Sequence, residues 1–338
     1  MTASTAPRPA PTAGRAFSFR WPDPWRAGVI AVAVLLALPI LTVFSAVFLP
    51  VSETWHHLVD TVLADYVLNS LGLMLGVAYG VLSIGVTCAW LTTNCQFPGR
   101  RVFEWALLLP LAIPAYIIAY TYTGMLDYPG PVQTALRGWF GWGYGDYWFP
   151  EIRSLGGAIA MLSLVLYPYV YLLARAAFLE QSVHALEAGR ILGAGPWARL
   201  WRITLPGARP AIIAGLSLAL METLADYGTV QYFGVSTFTT GIFRTWYGLN
   251  DSGAAAQLSA LMMLFVFALI LTERWSRRQA RYHHAGQRSK PLPRLQLVGW
   301  RAWLATVACA MPLLLGFMLP VGQLTAWAAR TLDATLAG

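Results

Sequence analysis

Residues 187–206 read EAGRILGAGPWARLWRITLP, a charged stretch set between two apolar segments that are each long enough to cross a membrane. From about Glu180 to Leu192 the residues favour helix. Gly193-Ala194-Gly195-Pro196 then interrupts it, and Pro196 suits the first turn of a second helix. On that second helix Trp197, Leu200, Trp201 and Thr204 fall on one face at helical spacing, with Arg199 and Arg202 off it. A compact amphipathic knob between spans reads as a docking surface. The plainer alternative is an interfacial helix lying on lipid, which Trp and Arg also suit.

Working outward, a chain with 57% hydrophobic and 11% charged residues is an integral membrane protein rather than a soluble domain. Seven spans are expected, at about 28–49, 67–92, 105–126, 155–178, 211–234, 254–272 and 302–324, with no strands. All of the 23 Lys and Arg except Arg137, Arg153, Arg244 and Arg330 fall in the N-terminal tail or in alternate loops. Positive residues are retained on the cytoplasmic side, so the N-terminus and the 187–206 stretch are expected there, with the C-terminal end outside. This topology accounts for the net charge of +8, and no nucleic-acid motif accompanies it. Cys88, Cys95 and Cys309 lie in or near spans without paired spacing and read as packing residues. No cofactor or metal site is expected, and residues 1–27, rich in Pro, Ala and Arg, read as a disordered cytoplasmic tail.

The chain has no phosphate-binding Gly-x-x-x-x-Gly-Lys-Ser/Thr loop, and its one lysine, Lys290, lies in a linker. Gly-x-Ser-x-Gly and His-Glu-x-x-His are also absent, so no catalytic constellation is visible and energy must come from a partner. Glu222 and Asp226, four residues apart, share a helical face, with Glu222 about 16 Å into the membrane and Asp226 about 6 Å beyond it. A charge at such depth costs about 2.5–3.5 kcal/mol on insertion scales, which directs it to an aqueous path or a bundle interior. Helix packing is the alternative role. Tyr116 and Tyr120 share a face of the third span, where phenolic oxygen suits a hard cation and packing is the simpler account. Outer residues 138–148 hold six aromatics that read as a docking site for a substrate-binding protein or as an aromatic belt. Pro114 and Pro168 are expected to kink their spans.

With Glu187, Ala188, Gly193, Ile203, Leu205 and Pro206 in register, the opening stretch resembles the E-A-A loop of the membrane subunits of bacterial ATP-driven, binding-protein-dependent importers; Gly189 replaces the second alanine. Within that superfamily, PLAIPAYIIAY (110–120), ALMETLADYGTVQYFG (219–234) and TFTTGIF (237–243) resemble the ferric-iron permeases. The resemblance implies an all-α, polytopic type I ABC importer bundle in the bacterial inner membrane, surrounded by lipid. It implies a cytoplasmic ABC ATPase docking on Glu187, Ala188, Gly193, Trp197, Leu200, Trp201, Ile203, Leu205 and Pro206. It also implies a periplasmic binding protein and a second permease half or protomer. Thiamine, polyamine or phosphonate are alternative cargoes. A secondary transporter or channel using Glu222 and Asp226 as a relay is the alternative from another class, and would not need the loop. The implied organisation is a six-span domain at 28–272 with its coupling loop at 180–206, then a basic linker at 273–301. Residues 302–338 are expected to be the first span of a second, truncated half, without partners in this chain.

Overall fold

The computed structural model describes residues 23–48, 50–143, 145–180, 191, 193, 195–278 and 294–336. Among them, six helices are long and apolar enough to cross a membrane: Pro24–Phe48, Leu63–Asn94, Leu155–Glu180, Leu200–Ala225, Ser252–Trp275 and Trp300–Leu332. The expected third span is instead a bent pair, Arg100–Ala112 and Ala115–Phe140, which makes a seventh crossing if counted as one.

Helix α1 (Pro24–Ser45) belongs to a compact unit of its own, and all its residues are at least partly exposed. A helix apolar on every side suits a hydrocarbon surrounding. The second unit begins at Ala46. It holds α2 (Glu53–Thr61), whose first turn is capped by Ser52 Oγ accepting from the Trp55 N–H at 3.2 Å, and α3 (Leu63–Asn94). Gly72, Gly76 and Gly80 recur every fourth residue along α3 and face α7 (Leu155–Glu180). A Cβ at Gly80 would lie 2.1 Å from Ser163 Oγ, and one at Gly85 would lie 2.9 Å from the Tyr167 carbonyl. Lipid offers no hydrophobic drive between helices, so close backbone packing along small residues supplies the attraction. Gly215 brings a third helix onto α7 in the same way, 2.9 Å from Val170 Cα to an added Cβ. Val77, Val81, Leu162, Tyr167 and Val170 fill the resulting core.

The two in-span prolines behave differently. Ile113 is extended (φ −111°, ψ 124°), the conformation that a following proline imposes, and the chain turns by 89° between α4 (Arg100–Ala106) with its 3-10 turn Leu109–Ala112 and α5 (Ala115–Leu126). The kink expected at Pro114 is therefore a break. Pro168 lies inside an uninterrupted α7. Helix α6 (Pro131–Phe140) follows α5.

The last span corrects one expectation. Strand β1 (Cys95–Gln96) pairs in parallel with β2 (Leu295–Gln296), a short ladder where no strand was expected. The chain beyond β2 was expected to lack partners, yet Ala302, Ala305 and Cys309 are buried in the main core. Tyr122 Oη donates to the Leu315 carbonyl at 2.7 Å, inside a π turn at Leu314–Met318 where the helical ladder is loosened. Gly316 meets the Leu164 carbonyl, 2.8 Å from an added Cβ. Small residues and one released carbonyl thus let this span dock where bulky side chains would have kept it in lipid.

Basic loops converge at one end of the second unit. The Leu297 N–H donates to the Gln96 carbonyl at 3.1 Å, and Arg175 lies 3.7 Å from Glu104. Acidic loop residues meet at the other end, through Ser52–Asp251 (2.8 Å) and the Arg153–Asp127 ion pair (3.1 Å).

Candidate functional site

The fifth span was expected to run to about residue 234, but its helix, α9 (Leu205–Ala225), stops nine residues sooner. Asp226 is extended (φ −68°, ψ 124°). Its carboxylate accepts from the Thr229 N–H (3.0 Å), the Val230 N–H (3.2 Å) and Thr229 Oγ1 (2.9 Å), and its carbonyl accepts from Thr239 Oγ1 (2.9 Å). A short acidic side chain that binds nearby backbone donors competes with the helical ladder. The chain instead forms α10 (Gly228–Tyr232), turns at Gly234 (φ +70°) and enters α11 (Phe238–Phe243) through a reciprocal Thr237/Thr240 capping box. A π turn at Arg244–Gly248 leads on to α12 (Ser252–Arg278).

This re-entrant path opens a cleft of about 330 Å³. Glu222, Ala225 and Asp226 line it from the fifth span, Pro114 and Tyr116 from the broken third span, and Tyr169 from α7. Gly228 packs so closely under Tyr116 that a Cβ there would lie 2.9 Å from the tyrosine Cβ. Glu222, Asp226 and Tyr116 are thus brought together. Tyr120 does not line the cleft; its ring meets Tyr232 edge-on at 6.0 Å and Trp327 at 5.7 Å. The two acids also differ. Glu222 is exposed in the cleft, whereas Asp226 is occupied by the loop it caps. Among the described residues no group of three or more His, Cys, Asp or Glu could hold a metal ion. The polar side chains that line it offer carboxylate and phenol oxygen, hard donors of the class that suits hard cations.

Sequence reading missed Tyr169, whose place depends on the rotation of α7. It also missed Thr229 and Thr239, although Asp226-x-x-Thr229 has the spacing of a capping pair.

At the basic end, Glu187 and Ala188 lie outside the described residues. Gly193 has φ +75°, the left-handed turn conformation that glycine accommodates. The second helix begins as α8 (Pro196–Arg199), which carries Trp197, and passes through a π turn at Leu200–Thr204 into α9. The wider turn rotates the side chains out of 3.6-residue phase. Leu200 and Thr204 are buried, whereas Trp201 is 66% exposed, so the single face expected for these residues is divided. Ile203 and Leu205 are half-buried and Pro206 is exposed. Among the described residues of this stretch, Ile191 and Trp201 are large apolar groups left outward, Ile191 at 86% exposure.

Residues 81–281 match the family described as binding-protein-dependent transport system inner membrane component. The chain belongs to this family. It is 26% identical over 260 residues to the Fe(3+)-transport system permease protein FbpB 2 of Haemophilus influenzae, a match that covers 77% of this chain and 47% of that relative. The chain therefore spans about half the length of that permease. It is also 30% identical over 207 residues to the molybdenum transport system permease protein ModB of Escherichia coli, covering 59% of this chain and 87% of that protein. A solved bacterial ABC transporter involved in import of the acidic polysaccharide alginate superposes with a TM-score of 0.58 at 18% identity, over 75% of this chain and 94% of that one. The inward-facing MetNI methionine ABC transporter gives 0.50 at 19% identity, over 68% and 100%. The fold is the all-α, multi-pass bundle of type I ABC importer transmembrane domains, as the sequence led us to expect.

Proposed function

We propose that this permease translocates ferric iron, with a separate ATPase docking at its basic end and a periplasmic binding protein delivering cargo at the other. The basic end and the N-terminus then lie in the cytoplasm, and a second permease half or protomer completes the pathway. The observation that carries the cargo assignment is the cleft, where exposed Glu222 faces the same space as Tyr116 and Tyr169. Its negative charge attracts a hard cation and opposes an anion. Other relatives are named for sulfate and 2-aminoethylphosphonate, cargoes that such a lining disfavours.

The test is uptake into vesicles holding the permease, its ATPase and its binding protein, with ferric iron, molybdate, sulfate and thiamine compared. ATP-dependent accumulation of iron is expected, reduced about tenfold by Glu222→Gln, as for loss of a charge in the path. Accumulation of an oxyanion or of thiamine instead of iron would overturn the cargo. Uptake driven by a proton gradient without ATP would replace the importer reading with a secondary transporter.

A further inference from the structure

Polar groups of three helices meet where α4 passes the last turns of α7. The Glu104 carboxylate accepts from the Arg100 guanidinium and lies 3.7 Å from Nη2 of Arg175. The Glu104 carbonyl accepts a hydrogen bond from Tyr171 Oη at 2.9 Å. Arg100, 5% exposed, also donates through Nη1 to the Thr92 carbonyl at 2.9 Å, near the end of α3. One carboxylate therefore serves two guanidinium groups. Among the described residues, Nε of Arg100 and Nε of Arg175 are both buried without a hydrogen-bond partner. Each orphaned donor gives up its hydration for no partner, and a buried ion pair is weak evidence of stability, so this arrangement calls for a reason other than holding the fold.

The connections supply one. Helix α4 runs through the 3-10 turn at Leu109–Ala112 into Pro114 and Tyr116, one wall of the cleft. Arg175 lies five residues before Glu180, where the described part of α7 ends and the chain leads into the docking stretch. Glu104 thus stands between the helix that enters the docking stretch and the break that shapes the cleft. Helix shifts of about 1–2 Å are the common currency of switching in packed proteins. A shift of that size in α7 toward α4 would close the 3.7 Å separation between Arg175 and Glu104 Oε2 to hydrogen-bond distance, while Arg100, four residues before Glu104 on the same helix, keeps Oε1.

We propose that Glu104 is a positioning residue that couples the two sites. Its carboxylate keeps Arg100 on Oε1 and makes or opens a contact with Arg175 through Oε2, and so transmits movement of α7 to the Pro114–Tyr116 wall. This rests on the importer reading, in which the ATPase moves the docking stretch. The Glu104–Arg175 contact, made or open, is a two-arrangement element of the kind that energetic coupling requires.

The test uses the complex of full chain, ATPase and binding protein in lipid vesicles, with Ala225→Cys as a reporter. Ala225 is exposed in the cleft, whereas Cys88, Cys95 and Cys309 are buried. The rate of labelling by a charged maleimide is compared without nucleotide and with ATP and vanadate. In the parent complex the rate should change about tenfold, the mark of a shifted two-state equilibrium. Glu104→Gln and, separately, Arg175→Gln should each reduce that change to about twofold or less while the ATPase still co-purifies. Glu104→Asp should restore part of it, and the double variant should be no worse than either single one, since both remove the same contact. A full nucleotide-dependent change in Glu104→Gln would overturn the proposal, as would its loss in Glu104→Gln with none in Arg175→Gln. If Glu104→Gln yields no intact complex, the part-exposed Arg175→Gln decides alone. A parent complex that binds ATPase yet shows no nucleotide-dependent labelling would overturn both this coupling and the importer reading of the cleft.

Discussion

The two ends of the fifth span carry the same kind of sequence signal, candidate functional side chains at helical spacing, and the backbone answers them in opposite ways. At residues 196–206 it stays helical and absorbs a π turn, which turns Leu200 and Thr204 inward and leaves Trp201 outside. At residues 222–234 it abandons the helix, because the Asp226 carboxylate offers backbone donors a better partner than the next turn does. Periodicity names a face only while 3.6 residues make a turn. A side chain with its own hydrogen-bonding capacity decides whether that holds.

The division at the first end is the easiest to break. Leu200→Ala should lower thermal stability of the purified permease by about 2–4 kcal/mol, the usual cost of hollowing a buried leucine site. Trp201→Ala should leave stability within about 0.5 kcal/mol, as exposed substitutions do. It should instead weaken ATPase co-purification about tenfold or more, as removal of an interface tryptophan does. Equal melting temperatures for the two variants would mean that the π turn does not divide the face.

At the second end, Asp226→Ala should cost about 1–3 kcal/mol, because it strands the N–H groups of Thr229 and Val230. Asp226→Asn should cost less, since its amide oxygen can still accept. Glu222→Gln should be near neutral for stability, within about 0.5 kcal/mol, and should act on uptake alone. If Glu222→Gln destabilised the protein as much as Asp226→Ala, the two acids would share one structural task and the contrast would collapse. A smaller effect is expected at the π turn of the last span. Tyr122→Phe removes one interhelical hydrogen bond, worth about 0.6 kcal/mol on average in membrane bundles.

Hydropathy and charge are one-dimensional, which is why the membrane class and most of the spans were legible before any coordinates. The Gly72, Gly76, Gly80 spacing was equally legible as a close-packing stripe and went unread. Asp226-x-x-Thr229 could have been read as a cap, but its position within an apolar run favoured continuation of the helix. Pro114 and Pro168 mark a harder limit, because the same residue breaks one helix and is carried by another. The difference lies in the extended Ile113 and in what packs around each site. The docked last span and the place of Tyr169 in the cleft depend on contacts between residues far apart in sequence, which no local pattern encodes.

Asp251 gives the finest version of the comparison, because it does in a more open setting what Asp226 does beside the cleft. Its carboxylate accepts from the Ala254 N–H at 2.9 Å and from Ser52 Oγ at 2.8 Å, joining the start of α12 to the cap of α2. The Ala254 N–H chiefly, and the Ser52 hydroxyl after it, hold the Asp251 carboxyl below its ordinary value. A carboxylate depressed in the folded state contributes stability that is present above its unfolded value, about 3.9, and is lost as pH falls through the lower folded value. Asp251→Asn should therefore melt slightly below the parent at neutral pH, and the gap should close as the buffer is taken below about pH 4. Melting curves of both proteins in the same detergent across that range provide the measurement. A gap that stays constant to the acid limit would mean that the charge contributes nothing and that Asn is the poorer cap for its geometry alone.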